Sequence, residues 1–493
     1  MTTNTLFMKT TLSILILTAG LTACVDLDED PKSFVTSDQF YQTEEQAIAA
    51  VNAVYNGVNS GTHTLYNRLL QISIEMATDD YEAGPRARNA HVRALSGLTH
   101  DASNDRMQEL WRQSYDVINR ANIAIDHLQG NNTINSSLRD RLVNEAKFIR
   151  ALMYFNLVRW FGDVPIVLHE TTSLSGENLY VSKAPEAEVY DQIVNDLSDA
   201  ENLPAQGEYA GSDIGRATSG AAKSLLSKVF LAQKQWQKAA DKSKEVIDAG
   251  WYELFDDFAD VFNVATKNGK EHIFSAQFKG FSNWNGNMLA ITAAPNEVPG
   301  INGDYADALH KESGLYESFN DNDERKDVTF VTQMVSPVDG QLYTFEPHFH
   351  KYYDPAVVGS PNESSKNTPI IRYAEVLLIY AEAINELQGP TAEAYWAIDE
   401  VRNRAGIEKL ADISPALSVD EFREAVFEER RKELVFEYQR WFDLARRGPD
   451  YYVAKLSAAG KTNAAPRHVH FPTPQREIDL NPNLVQHPDW VNY

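Results

Sequence analysis

The chain has 493 residues and carries 70 acidic against 45 basic side chains, which gives a formal net charge of −25 at pH 7. Because nucleic-acid binding needs clustered Lys and Arg, this charge argues against a nucleic-acid partner, and equally against an electrostatic hold on anionic lipid. With 43% hydrophobic residues the chain can build a large core, and its single cysteine excludes an internal disulfide framework or a CxxC metal site.

Residues 1–23 predict a secretory signal peptide. Lys9 precedes an apolar run of about ten residues, too short to span a bilayer, which ends in small residues before Cys24. Both Met1 and Met8 stay open as the true start. The residues around the cut site resemble the lipobox of bacterial lipoproteins: Leu21-Thr22-Ala23-Cys24. We therefore expect lipid on Cys24; the alternative is an ordinary signal peptide with a chance cysteine.

Residues 24–36 predict an acidic tether. The stretch from Val25 to Pro31 contains four acidic residues and ends at a proline, so it cannot bury itself and should stay solvated. Acidic residues directly behind a lipidated cysteine also resemble the surface-export signal of Bacteroidetes lipoproteins. The expected location is the outer membrane, lipid-anchored and facing the cell exterior.

Residues 37–249 predict an N-terminal helical region. Thr43 and Gln46 form a capping-box pattern that opens the first helix. Hydrophobic periodicity predicts further helices at 107–128, 137–161, 185–202 and 218–249. In the last of these, small residues at helix contacts, an aromatic at the turn and alanines opening the return helix loosely match the tetratricopeptide pattern.

The rest of the chain divides into two regions. Residues 250–369 are rich in Gly, Asn, Asp, Pro and aromatics, with short strand-like pieces at 271–278 and 328–331, and we interpret them as a loop-rich binding subdomain. Residues 370–493 predict a C-terminal helical region that opens with a second helical pair, 370–387 and 391–404. The predicted fold class is mostly α: tetratricopeptide-like hairpins stacked into a scaffold, with an irregular subdomain containing short strands.

Several long motifs together resemble the SusD/RagB family. The first, at 148–165, is a long helix with a Gly-Asp-Val-Pro exit. The others lie in the C-terminal region, at 372–383, at 429–434 with 440–444, and at 471–478. With the lipobox, the resemblance covers nearly the whole mature chain.

The resemblance implies a protein with four tetratricopeptide-like hairpins that acts as lid and binding partner of a SusC-like TonB-dependent outer-membrane transporter and captures glycans. It implies neither catalysis nor a cofactor. Two other classes remain as alternatives. A glycoside hydrolase needs two carboxylates at a defined separation, and the sequence shows no GxSxG, P-loop or GxGxxG motif beside its many acidic residues. A structural or adhesion repeat protein predicts no saturable binding of a soluble glycan or peptide.

Candidate ligand contacts follow from what a pyranose requires, a flat aromatic over its C–H face and planar polar groups at the rim. Trp284, flanked by Asn283, is the predicted stacking platform; the alternative is a Trp in the subdomain core. Asp80 and Arg88, in a loop that family members often use for ligand binding, and Asn104 in the next loop are predicted to bond sugar hydroxyls. A plain surface ion pair is the alternative.

Two further features concern buried charge and metal. Arg430 interrupts an apolar stripe with a four-residue period, Phe422 to Phe442, on one predicted helix. It either aims at an anionic ligand or pairs with a carboxylate, such as Glu433, Glu437 or one from a neighbouring helix; pairing is favoured because buried charges must be paired.

Two His-x-His pairs occur, His348/His350 and His468/His470. Either could begin a metal site, because residues i and i+2 share one face of a strand. No third ligand stands at a recognisable spacing and no HExxH motif occurs, so the sequence predicts no metal.

Overall fold

The computed structural model describes residues 40–493 except positions 60, 62, 173–178, 281–285, 293, 302–306 and 358–363. The predicted signal peptide 1–23 and the whole predicted tether 24–36, with Cys24, therefore lie outside the described residues. Helices dominate the described chain, and none of these helices is long and apolar enough to cross a membrane. The fold is mostly α, as the sequence predicts.

The N-terminal half consists of seven helices among the described residues. In chain order they are α1 (Glu44–Asn59), α2 (Ala90–Ser96), α3 (Asp105–Leu128), α4 (Ser136–Phe161), α5 (Glu186–Ala200), α6 (Ser219–Ala232) and α7 (Trp236–Ala249). The predicted helices agree with α3, α4 and α5 to within two residues at each end. The predicted hairpin at 218–249 is α6 followed by α7.

Local sequence signals set these boundaries. At the start of α1 the predicted capping box is confirmed: Gln46 donates its backbone N–H to Thr43 Oγ1 at 3.3 Å, and Thr43 donates its own to Gln46 Oε1 at 3.2 Å. At the end of α4, Gly162 adopts a φ of 68°, which only glycine reaches without strain. The Gly-Asp-Val-Pro exit therefore stops this helix where the sequence predicts.

The middle of the chain contains short elements. Its helices are α8 (Leu289–Thr292), α9 (Leu315–Ser318) and α10 (Arg325–Thr329). The strands of the described residues are β1 (Tyr81–Ala83), which lies in the N-terminal half, and β2 (His272–Ala276), β3 (Asp307–Leu309), β4 (Phe330–Val335), β5 (Leu342–Phe349) and β6 (Thr368–Arg372). They form three antiparallel two-stranded sheets, β1 with β3, β2 with β6 and β4 with β5. The predicted strand-like piece 271–278 contains β2, whereas 328–331 covers the last two residues of α10 and the first two of β4.

The C-terminal region is again helical. Its helices are α11 (Tyr373–Gln388), α12 (Ala392–Arg404), α13 (Leu410–Ile413), α14 (Val419–Glu433), α15 (Arg440–Arg446), α16 (Pro449–Ala458) and α17 (Gln475–Leu480). The expectation of a helix from 370 is wrong for its first three residues, which complete β6. Every residue of β6 is buried, so its apolar run carries no alternation that would distinguish a strand from a buried helix.

Helices adjacent in sequence pack against each other and share one core. The hairpins α3/α4, α6/α7 and α11/α12 each pack internally. They are joined by α5, which contacts both α4 and α6, and by the contact of α7 with α11. One cluster of buried apolar side chains extends from Tyr41 to Leu484 and draws on all of these helices and on the middle segment. Stacked hairpins bury faces that no single hairpin could bury alone.

The apolar stripe around Arg430 does not lie on one helix, which corrects that expectation. The helix α14 ends at Glu433 and α15 begins at Arg440, and between them Phe436 and Tyr438 have φ values of 65° and 63°. The four-residue period continues through a chain reversal, because side chains on both sides of the turn enter the same core.

A buried network of ion pairs joins α14 to the β2/β6 sheet. Arg372, at the end of β6, donates to Glu433, Glu437 and Glu271 at 2.5 to 2.7 Å. Arg325 donates to Glu433 at 3.0 Å as well as to Glu429 at 2.6 Å. Buried charges must be paired, and here several motif residues satisfy one another inside the fold. The motifs 372–383 and 429–434 therefore contribute residues to the scaffold.

Candidate functional site

An open cleft of about 400 Å³ lies beside the N-terminal ends of α2 and α3. Its wall consists mainly of polar and basic side chains: His63, Arg68, Ile72, Arg86, Ala87, Arg88, Asn89, Val92 and Arg106. A guanidinium is a planar group with five N–H donors and no acceptor, so four arginines give the cleft a dense set of donors. Such a wall suits a ligand rich in hydroxyl or acidic oxygen atoms.

Arg88 is the predicted contact that the structure places in this cleft. It is exposed, in the segment between β1 and α2. Within the ranges that the structure describes, its guanidinium has neither a hydrogen bond nor an ion pair to another side chain. Arg106, by contrast, is held by Asp105, with Nε donating at 2.9 Å and Nη2 at 3.1 Å. Arg88 is thus the lining arginine with donors most clearly available to a ligand.

Two asparagines fix the helices that form the cleft wall. Asn89 caps α2: its Oδ1 accepts from the backbone N–H groups of His91 and Val92 at 2.8 and 3.1 Å. Asn104 caps α3 by accepting from Arg106 N–H at 3.0 Å, and its Nδ2 donates to the His91 carbonyl at 3.0 Å. Both amides follow the strong preference for Asn at helix N-caps.

The structure therefore corrects the expectation that Asn104 bonds a sugar, because its side chain has a structural role. Its side chain is 2% exposed and both ends of its amide are already bonded within the protein. A sugar could bond it only by displacing a helix cap.

Asp80 also takes a structural position, which corrects the expectation that it bonds a sugar. It is 1% exposed, and its two oxygens accept from Nε of Arg431 at 3.0 and 3.1 Å. Arg431 lies on α14, far from Asp80 in sequence, so no local pattern indicates this partner. A buried carboxylate that already neutralises a guanidinium is not free for a ligand hydroxyl.

Trp284 and Asn283 lie outside the described residues, so their role stays a prediction. The first described residues after them are fixed to the segment that carries Arg68. Asn67 donates to the carbonyl of Gly286 at 3.2 Å and accepts from the backbone N–H of Met288 at 2.8 Å. This contact ties the chain after the predicted aromatic loop to one wall of the cleft.

Sequence reasoning missed Arg68 and Arg106 as lining residues. Arg68 lies in the π-helical turn Leu65–Leu69 and Arg106 in the first turn of α3. An isolated arginine at a helix end is a common surface feature, so only the packing of these elements makes it part of a site. The closely spaced Arg86 and Arg88 are the one sequence feature that could have indicated a basic cleft.

Arg430 lines a second, more enclosed cavity of about 190 Å³ between α4, α6 and α15. Its Nε donates to Asp443 at 3.0 Å and its Nη2 to Glu375 at 3.3 Å. The favoured interpretation, a paired arginine, is confirmed. Its partners come from neighbouring helices rather than from Glu433 or Glu437, which bind Arg372.

The two His-x-His pairs do not form metal chelates by themselves. His348 is buried near the end of β5, 3.5 Å from a carboxylate oxygen of Glu297, while His350 stacks on Tyr353 beyond the strand. His468 is fully buried against Trp490, whereas His470 faces a different neighbour. The members of each pair therefore have separate surroundings.

Comparison with known families gives two matches along the chain. Residues 27–231 match a family described as starch-binding and associating with the outer membrane, and residues 335–490 match the SusD family. The two segments leave the middle of the chain unmatched, which is the loop-rich part of the structure.

Individual relatives match over nearly the whole length. SusD-like protein P2 of Formosa agariphila is 30% identical, and the alignment covers 97% of this chain and 98% of that protein. A crystal structure of a SusD superfamily protein from Parabacteroides distasonis superposes with a TM-score of 0.79 at 26% identity, covering 91% of this chain and 99% of the other. A structure described as a laminarin binding SusD-like protein gives a TM-score of 0.75 at 26% identity, covering 92% and 100%.

Proposed function

Because the chain belongs to the SusD/RagB family, we propose that it is a cell-surface lipoprotein that captures a glycan and passes it to a SusC-like TonB-dependent outer-membrane transporter. The observation that carries the proposal is the 30% identity to SusD-like protein P2 across 97% of this chain. Two findings support a glycan as the ligand. One relative is described as laminarin binding, and the N-terminal family as starch-binding.

The arginine-lined cleft is the proposed binding surface. Arg88 supplies unengaged donors for the hydroxyl oxygens of a polysaccharide or oligosaccharide, and the capped ends of α2 and α3 hold the wall in place. Trp284 is proposed to cover the apolar face of a sugar ring, with Asn283 beside it. A wall of donors together with an aromatic platform meets both requirements of a pyranose.

The membrane attachment is proposed to run through Cys24. Each buried methylene of an acyl chain contributes about 0.8 kcal/mol of membrane affinity, so several chains hold a protein firmly. The acidic residues behind Cys24 support export to the outer face, and the N-terminal family's association with the outer membrane agrees with this location.

Binding without catalysis is part of the proposal. One of the similar structures is described as laminarin binding, and a cleft wall of guanidinium donors offers no pair of carboxylates for glycoside hydrolysis. A surface hydrolase or an adhesion protein is the alternative class.

A direct test is calorimetric titration of the full, detergent-solubilised lipoprotein with a panel of soluble glycans that includes laminarin and starch fragments. Saturable binding of a glycan without release of reducing ends is the expected result. Turnover of the bound glycan would favour a hydrolase, and absence of binding across a broad glycan array would favour an adhesion protein. Transfer is tested separately, by co-purification of the tagged protein with a TonB-dependent transporter from membranes.

A further inference from the structure

Three metal-ligating side chains meet beside the end of α4. His470 directly follows the turn Pro466–Val469, and His487 and Asp489 lie at the C-terminal turn Pro488–Trp490. Each residue offers one ligand atom: the two histidines an imidazole nitrogen each, and Asp489 a carboxylate oxygen. These three atoms lie within 4.8 Å of one another. No other group of three such residues is this close in the part of the chain that the structure describes.

We propose that His470, His487 and Asp489 bind a divalent transition-metal cation, Zn²⁺. Two imidazole nitrogens and one carboxylate oxygen are ligands that zinc accepts, and a water completes its usual four-coordinate shell. Calcium and magnesium prefer a cage of oxygen atoms, which two histidines do not provide. The ligand set therefore selects zinc over these more abundant cations.

The rings of His470 and His487 lie close together, but among the described residues they form no hydrogen bond with each other. Their centroids are 4.9 Å apart and the rings are tilted by 41°. Among the described residues, the His470 ring forms no hydrogen bond. His487 Nδ1 accepts only a long bond of 3.3 Å from the Asp489 backbone N–H, and lies 3.9 Å from an Asp489 carboxylate oxygen. The ligand atoms of the two rings and of the Asp489 carboxylate thus lie within 4.8 Å of one another.

The surroundings of this site are predominantly acidic. A Cβ atom placed on Gly162 would lie 3.2 Å from Glu186 Oε1 and 3.3 Å from His487 Nε2, so both side chains lie close to this glycine. The Glu186 carboxylate therefore approaches the site from the first turn of α5, and Asp163 accepts from the Glu186 backbone N–H at 2.9 Å. Lys183 is the nearby cation, and its Nζ is engaged with Thr473 Oγ1 at 2.7 Å.

The site is held together before any metal binds. Trp490, 1% exposed, donates from Nε1 to the His470 carbonyl at 3.0 Å, which fixes the C-terminal turn against the segment that carries His470. A preformed ligand set binds a cation at lower entropic cost than a flexible one. His487 and Asp489 both come from the C-terminal turn, and His468 is not a ligand, so the spacing of the His468/His470 pair does not indicate the site.

The test is calorimetric titration of the chelator-treated, full-length protein with ZnCl₂ at pH 7.5, without a histidine tag. One saturable site is expected. Asp489→Asn and His487→Ala should each weaken zinc affinity at least tenfold while keeping the circular dichroism spectrum. Asp489 is exposed, so Asp489→Asn keeps the proposal testable if the histidine variant misfolds.

The matched control is His169→Ala. His169 contacts Asp126 at 2.9 Å and is 84% exposed, a His–carboxylate pair that belongs to no group of three ligand residues among those the structure describes. This variant should bind zinc like the unaltered protein. The proposal is overturned if the unaltered protein shows no saturable site, or if Asp489→Asn binds zinc as tightly as the control.

Discussion

Arg440 binds Asp79 through two parallel hydrogen bonds, Nε to Oδ1 at 2.9 Å and Nη2 to Oδ2 at 2.6 Å, across 361 residues of sequence. Both side chains are 4% exposed. Burial alone would raise the pKa of Asp79, but the charge of Arg440 outweighs it and holds this pKa well below its ordinary value. Together with the adjacent Asp80–Arg431 pair, this contact fixes the loop that leads into the cleft wall onto the C-terminal helices.

Asp79→Ala should lower the free energy of unfolding by about 3–5 kcal/mol, because it leaves Arg440 buried without its partner. Urea unfolding at pH 7, followed by circular dichroism, measures the change. The control is Asp116→Ala, which breaks an ion pair with Arg112 whose side chains are 52% and 47% exposed. Such a surface pair contributes about 0–1 kcal/mol. Equal losses for the two variants would contradict the role given to the Asp79–Arg440 contact.

Glu75→Gln should flatten the dependence of stability on pH. Burial, and next the charge of Asp80, raise the pKa of Glu75 from 4.5 to about 8. Between these two values the unfolded chain has lost the proton and the folded protein retains it, so stability falls as pH rises through this window. The glutamine variant lacks this proton and should lose less stability between pH 5 and pH 8.

Urea midpoints at pH 5, 6.5 and 8 provide the measurement for Glu75→Gln. Glu317→Gln, at an exposed position, is the matched control and should follow the unaltered protein. If the Glu75 variant also ran parallel to the unaltered protein, the raised pKa of Glu75 would be refuted.

The helical scaffold could be predicted because its signals are local. Asn135 and Gly162 bound α4, and its apolar C-terminal half is buried almost continuously from Phe148 to Phe161. The turn at Phe436 and Tyr438 could not be predicted, because both residues are apolar and Tyr438 keeps the four-residue period, while the φ values of both are positive. Nor could the position of Asp80, since its partner is 351 residues away. Only part of the cleft could be predicted from the sequence, because its arginines come from elements that are separate in the chain and meet only in the fold.

Arg88→Ala should weaken glycan binding by about 1 kcal/mol, the typical loss for one hydrogen bond, with little change in the unfolding temperature. The reason is that Arg88 is exposed in the cleft and donates to no other described side chain. Calorimetric titration with the bound glycan measures the effect. Arg112→Ala removes an exposed arginine that pairs with Glu109 and Asp116 outside the cleft, and should leave affinity unchanged. Indistinguishable affinities for the two variants would remove Arg88 from the site.

Trp284→Ala should weaken glycan binding by about 1–3 kcal/mol, without a comparable loss of stability. A stacking platform contacts the ligand with its ring face, whereas a core tryptophan would mainly support the fold. Parallel titration and thermal unfolding of the variant separate these two possibilities. A large drop in unfolding temperature with unchanged affinity would assign Trp284 to the subdomain core.

Cys24→Ala should abolish surface attachment and leave glycan affinity intact. Acyl chains on Cys24 are the proposed anchor, and a net charge of −25 opposes an electrostatic hold on anionic lipid. Fractionation and protease treatment of intact cells measure attachment. Replacing Asp26, Asp28 and Asp30 by Asn separates anchoring from export: that variant should stay in the membrane fraction but become protected from external protease. If Cys24→Ala remained on the cell surface, the lipid would not be the anchor.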